Sequence, residues 1–251
     1  MPRIALLGTA STGSFGFGLG ARPATVLITY MLAGGGGQSG AYAGDGGGQV
    51  LIGTQTLGTA TTYPVTIGAV NSTSVFNGLT AAAGNPASYG TGGSSGNGYG
   101  GGNGDNATWP PIPSPPWVDG GYAYAGGGGG GAGGGGGNAY DALPGSYYIW
   151  GGDGGPGVVF SLNGNYYGAG AGGQAASYSN TDGPEPNATN GSSGTGYGNY
   201  GSANYSGGLI VSYLSILQLF TGGTVTSTGS GVTKRWFHSF PSTSSLAPKY
   251  A

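Results

Sequence analysis

The sequence predicts a mostly irregular, all-β protein: short β-strands plus a packed bundle of polyglycine II-type helices, with essentially no α-helix. Three observations carry this expectation. Glycine makes up 64 of the 251 residues, against a usual share of about 7%. Short runs rich in β-branched and aromatic residues recur between glycine tracts, as strands bounded by turn residues do. No segment joins helical apolar spacing to good helix formers, and each glycine costs about 1 kcal/mol in a helix interior.

Composition argues for a folded chain. Disordered segments stay open through high net charge and few aromatics, whereas here the formal net charge is -2 and aromatics are 12%, including 18 tyrosines. With no cysteine, disulfide and thiolate chemistry are excluded. The apolar run "IALL" near the start is too short for a signal-peptide core of about 7–15 residues. No run approaches the roughly 20 apolar residues of a membrane span. Synthesis in the cytoplasm without a signal peptide is therefore expected. The basic residues Arg3, Arg22, Lys234, Arg235 and Lys249 lie near the termini, and all the acidic residues lie between them. A centre without cations cannot neutralise phosphates, which argues against nucleic acid as a partner and against a polybasic membrane patch.

Taken in order, residues 1–25 are small and polar without clear periodicity and read as an attachment segment. A glycine-rich domain is expected over 26–215, and a C-terminal strand or tail segment, also suited to attachment, over 216–251. Strands are expected in "VLITYML", "QVLIG", "TYPVTIGA", "TSVFNGLTA", "GVVFSL" and "LIVSYLSILQLF". Pro64 suggests an edge position, since it cannot donate to a ladder. The longest tract, eleven glycines interrupted by one alanine between Ala125 and Asn138, is read as one or two rods with Tyr122, Tyr124 and Tyr140 near their ends. Collagen is excluded because glycine does not recur at every third position. A polyproline II-type conformation remains open to such a tract, and without Cβ atoms neighbouring rods can pair their backbones. Glycine loses more backbone freedom on ordering than any other residue, so only cooperative pairing of nearly every peptide group would offset that cost.

Motifs for chemistry are weak. G-x-G-x-x-G recurs through composition alone, and no lysine precedes Lys234 to complete a phosphate loop. The single His238 reads as a packed or surface histidine. The Asp-Gly sites at 45–46, 119–120 and 153–154 read as turns, and none completes a calcium loop. No catalytic residue, metal or cofactor is expected. The stretch with most to offer a partner is "WPPIPSPPW", where five prolines hold Trp109 and Trp117 on an extended backbone. Aromatic contact area at low entropic cost is the currency of binding loops. Tyr122, Tyr124, Tyr147, Tyr148, Trp150, Tyr166, Tyr167, Tyr197 and Tyr200 join them as contact candidates. The alternative is that these rings cap a glycine bundle or pack between subunits. A neutral, amide-rich surface of this kind suits a glycan.

The order "VLITYMLAGGGGQSG", "YPVTIGAV", "STSVFNGLTAAAG", long glycine tracts, then "GGLIVSYLS" resembles the glycine-rich domain of bacteriophage tail-fibre and related virion proteins. "GGTVTSTGSGVTKRWFHSF" resembles a further piece of that domain, which in many members precedes the first strand and here follows the last. The resemblance implies a non-enzymatic virion protein, a tail-fibre or capsid-fibre component made in the host cytoplasm and presenting aromatic loops for host-surface attachment. The alternative it leaves open is a decoration or cement subunit without a receptor role. Implied partners are other virion proteins, a host glycan or outer-membrane receptor, and further copies of the chain, a trimer being favoured. Arg3, Arg22, Lys234, Arg235 and Trp236 are the corresponding docking candidates.

Overall fold

A computed structural model describes residues 23–39, 42–103, 105–109, 121–141, 148–178, 187–189, 192–194 and 198–250. Among these, β1 (Thr25–Ala33) and β2 (Val50–Gly58) enclose the first glycine tracts, and β3 (Tyr63–Thr66), β4 (Ser74–Phe76) and β5 (Leu79–Ala81) form a meander. The middle of the chain holds β6 (Asp105–Trp109), β7 (Gly121–Ala125), β8 (Tyr140–Asp141) and β9 (Tyr148–Trp150). It continues with β10 (Val158–Phe160), β11 (Asn165–Tyr167), β12 (Ala175–Tyr178) and β13 (Asn187–Thr189). The last strands are β14 (Gly208–Leu214), β15 (Phe220–Thr221), β16 (Thr224–Thr228), β17 (Arg235–Phe240) and β18 (Ser244–Pro248). Pairing is antiparallel throughout except between β9 and β13. The expectation of an all-β chain with essentially no α-helix holds: one 3-10 turn, Gly231–Thr233, is the only helical element among the described residues.

Two five-stranded sheets, ordered β16-β17-β14-β1-β2 and β15-β18-β3-β4-β5, form the base of the molecule. Side chains alternate faces along a strand. Ile28, Leu32, Leu209, Val211 and Tyr213 of the first sheet therefore share one face and meet Val65, Phe76, Phe220 and Leu246 of the second, all fully or almost fully buried. Burying each large apolar side chain contributes about 1.5–3 kcal/mol. Met31, Ala33, Val50 and Ile210 point the other way and are covered by Ala132, Phe160 and Tyr167. Burial on both faces explains why "YMLA" and "GLIVSY" are nearly continuous apolar runs.

Three expectations are corrected here. The run 73–81 is not one strand but the β4–β5 hairpin, turned by Asn77 and Gly78 with φ of 43° and 80°. Positive φ at both central residues is the Asn-Gly turn that matches strand twist. Pro64 is not on an edge strand, because β3 lies between β18 and β4. It is tolerated because the β3–β4 pairing reaches only Val65 and Thr66, leaving Pro64 paired with Ser245 alone. The run 209–220 breaks after Leu214 and resumes as β15 in the other sheet. Residues beyond it do not hang free, since β17 sits between β14 and β16 and β18 pairs with β3.

Above the base, glycine segments pair by backbone hydrogen bonds that follow a period of three. The Gly34 and Gly37 N–H groups donate to the Gln49 and Gly46 carbonyls at 2.9 and 2.7 Å, while Gly35 and Gly36 between them donate to Ser72 and Tyr205. Likewise Gly126, Gly129 and Ala132 donate in turn to Gln174, Ala171 and Gly168, each at 2.7–2.9 Å. Successive residues thus face different neighbours, and every third residue returns to the same one. Such approach has no room for side chains. A Cβ on Gly36 or Gly129 would overlap the carbonyl oxygen of Ser202 or Asp45. The longest tract forms two segments, reversing where Gly131 and Gly134 bond each other. The lone Ala132 marks that reversal and is buried against the base.

At the opposite ends of these segments sit two small sheets, β12-β7-β6 and β13-β9-β8. They pack around Ala125, Ala139 and Ile149. Gly126 follows β7 directly and Gln174 precedes β12, so the tracts run from this small head down to the base.

Gly129→Ala should lower the thermal midpoint by several degrees, as overpacking costs about 1–3 kcal/mol. Gly100→Ala, where a Cβ meets nothing within 4 Å, should leave the midpoint unchanged or slightly raised. Calorimetry on the two variants checks both.

Candidate functional site

The aromatic candidates divide between two places. Around the head, Tyr124 of β7 packs edge-on against Tyr42, with ring centroids 4.5 Å apart, and Tyr89 completes the cluster at 6.0 Å from Tyr124. Tyr89 is 77% exposed. Tyr140 and Trp150, paired across β8 and β9, stack with planes 2° apart and centroids 6.2 Å apart, both exposed. Trp109 and Tyr122 lie in β6 and β7, opposite Gly121 and Thr108 respectively. Tyr148 of β9 pairs with Asn187. Trp109 ends β6 and Gly121 begins β7, both at the head, and residues 110–120 lie outside the described residues. Trp117, Tyr147 and Tyr197 lie outside the described residues.

Tyr166, Tyr167 and Tyr200 are elsewhere, beside the base. Tyr166 is exposed, but Tyr167 is only 3% exposed and packs with Phe160 against Met31 and Ile210. Its position on β11 directs it inward, so it belongs to the core rather than to a contact surface. Tyr200 is half-buried, with its ring 6.1 Å from that of Tyr167. Burial, with a smaller contribution from neighbouring Tyr167, raises its hydroxyl pKa. Tyr42, Tyr89 and Tyr140 were missed as contact candidates because each stands alone in sequence, and only folding brings it to a partner ring.

The docking candidates fall at the far end of the base. Strand register fixes this: Gly208 and Phe240 lie beside the glycine segments, and Leu214 pairs with Arg235 at the other end. Thr25 pairs with Gly58 at that same far end, so the chain enters there. Lys234 lies over the Trp236 ring with Nζ 4.2 Å from its centroid. An Arg235 Nη1–H donates to Ser212 Oγ at 3.1 Å, and the Trp236 Nε1–H donates to the Ser215 carbonyl at 3.0 Å. Leu214, Ile216 and Val232 are exposed around them, a feature hidden in sequence because Leu214 and Ile216 sit inside an apolar run. Arg3 and Arg22 lie outside the described residues.

His238 is fully buried and belongs to a closed network. The Tyr213 hydroxyl accepts the Leu219 and Phe220 N–H groups at 3.0 and 3.2 Å. A hydroxyl has two acceptor sites and one proton, so that proton goes to His238 Nε2, 3.2 Å away. Nδ1–H then donates to the Gly222 carbonyl at 2.9 Å. Every partner is used, and a second ring proton would have no acceptor. Burial lowers the His238 pKa, opposed in part by the Gly222 bond. The same burial raises that of Tyr213, with the two backbone donors opposing it. This histidine is structural.

The Asp-Gly sites are corrected in part. Neither Asp45-Gly46 nor Asp153-Gly154 is a turn, and neither glycine has positive φ. Both lie within straight segments, where Asp45 Oδ1 accepts the Ala87 N–H at 2.8 Å and Asp153 Oδ1 accepts that of Ser192 at 2.6 Å. Asp119 lies outside the described residues. Among the described residues no three His, Cys, Asp or Glu side chains converge as metal ligands would. No family model, curated protein or solved structure matches the chain.

A histidine kept neutral in the fold makes stability depend on pH in one direction. Above about pH 6.5 neither state binds the proton. Below it the unfolded chain does and the folded one does not, so stability should fall with slope up to about 1.4 kcal/mol per pH unit until His238 titrates in the fold. Denaturant unfolding between pH 7.5 and 5.5 should show this fall in the parent protein. His238→Gln should be less stable at pH 7.5 and flatter across the range.

Proposed function

We propose that the chain is a non-enzymatic component of a phage virion, a tail-fibre or capsid-fibre protein whose glycine segments form a bundle of polyglycine II-type helices. The period of three in the backbone hydrogen bonds supports the bundle reading, since that helix has three residues per turn. A rise of about 3.1 Å per residue makes the six steps from Gly126 to Ala132 a spacer of about 19 Å.

The observation that carries the functional reading is the polarity of the molecule. Two ring clusters, Tyr42–Tyr89–Tyr124 and Tyr140–Trp150, lie at the head, whereas Lys234, Arg235 and the start of β1 occupy the far end of the base. That is the arrangement of a part attached at one end and binding at the other. Neutral surface suits adhesion to a host glycan or an outer-membrane receptor, with weak dependence on salt. Virion proteins and further copies of this chain, in a trimer, are the partners this reading gives the base.

Trp109→Ala with Trp117→Ala should reduce adsorption of particles to host cells at least tenfold while leaving particle assembly unchanged. Immunogold labelling with an antibody to the chain should mark fibre tips. Label spread over the capsid would favour a decoration subunit instead, and particles without label would remove the virion reading altogether.

A further inference from the structure

A cleft of about 310 Å³ opens beside the base, away from the head. This size falls in the range of small-molecule sites, about 300–1,000 Å³. Its floor is the cross-strand pair of Ile210 on β14 and Ser239 on β17. One wall is the β10–β11 turn, which supplies Asn163 and Asn165. The other is the loop bearing Asn199 and Tyr200.

The walls are held by contacts beneath them. The Asn163 Nδ2–H donates to the Tyr167 hydroxyl at 2.8 Å, and Asn163 Oδ1 accepts the Asn165 N–H at 3.1 Å. Asn199 Nδ2–H crosses to the Tyr166 carbonyl at 2.8 Å, tying one wall to the other. Positive φ at Gly164, Gly198 and Gly201 shapes both turns. Gly208 has its own part: a Cβ there would overlap the Tyr200 ring, so glycine lets the ring lie on the β14 backbone.

We infer that this cleft is a binding site for a neutral saccharide unit, recognised by the amides of Asn163, Asn165 and Asn199, the Ser239 hydroxyl and the ring of Tyr200. Side-chain amides carry both donors and acceptors, which matches the dual character of sugar hydroxyls. The half-buried Tyr200 ring offers apolar surface for the C–H face of a pyranose. Among the described residues no charged side chain lines the cleft, so none of them compensates a phosphate, sulfate or carboxylate ligand. The site is separate from the aromatic head, and the inference does not rest on the virion reading.

The test uses saturation-transfer NMR and titration calorimetry on the full chain. The neutral probes are glucose, galactose, mannose, N-acetylglucosamine and lactose, with glucuronic acid and glucose 6-phosphate as charged probes. At least one neutral sugar should bind, with affinity unchanged between 0.1 and 1 M NaCl, and the charged probes should not. Asn165→Ala with Ser239→Ala should weaken binding roughly tenfold or more, as loss of polar partners does, without shifting the thermal midpoint. Gly208→Ala should also weaken it, by displacing Tyr200, and Trp109→Ala should leave it unchanged. Failure of every neutral sugar to bind, preference for a charged probe, or binding that survives the Asn165 and Ser239 changes would each overturn the proposal.

Discussion

Every buried peptide group must find a hydrogen-bond partner, and in this chain glycine makes that possible without regular sheet. Where the Cβ is absent, segments approach until the N–H of one reaches the carbonyl of another. Pairs such as Gly34–Gln49, Gly47–Gly130 and Gly154–Ser192 join separate stretches of chain at 2.7–2.9 Å. A side chain at Gly36, Gly47 or Gly170 would meet a neighbour's backbone and force the segments apart. The tracts are thus held by their own peptide groups, and glycine is the condition for their packing.

That lattice carries few apolar side chains of its own, small alanines such as Ala132 and Ala169, so it depends on what it joins. β1 runs straight into Gly34, Gln49 leads straight into β2, and Gly207 leads into β14. The base sandwich fixes the ends of three glycine segments at once. Tyr213 and His238 secure the sandwich in turn, by satisfying the backbone of the link from β14 to β15 inside an otherwise apolar core. Ordering glycine carries a heavy entropic cost. Anchoring the ends in a preformed core reduces the freedom left to lose in each segment.

The same division of labour separates surfaces. Segments too tightly packed to bear side chains cannot bear binding residues, so chemistry is displaced to their margins. Two ring clusters sit at the head, amides line the cleft near the base, and Lys234 and Arg235 sit at the far end. Within the segments, short acceptors such as Asp45 and Asp153 each close a neighbouring loop.

Much of this was legible in the chain. Alternation and β-branching marked β1, β2, β3 and β14, because local pattern sets which face is buried. The absence of α-helix among the described residues followed from glycine content together with the lack of helical apolar spacing. The run 73–81 read as one strand, and only the structure shows its turn at Asn77-Gly78. Long-range pairing was not legible: every glycine looks alike, so no residue type announces that Gly126 meets Gln174 or that Asp45 lies in a straight segment rather than a turn. Nor did local pattern distinguish Tyr167, drawn into the core by its β11 register, from exposed Tyr166 beside it. Composition and period thus determine the elements and their buried faces, because those depend on neighbours in the chain. Tertiary structure alone decides which backbone carbonyl each glycine meets and which rings and amides converge, because those partners lie tens of residues away.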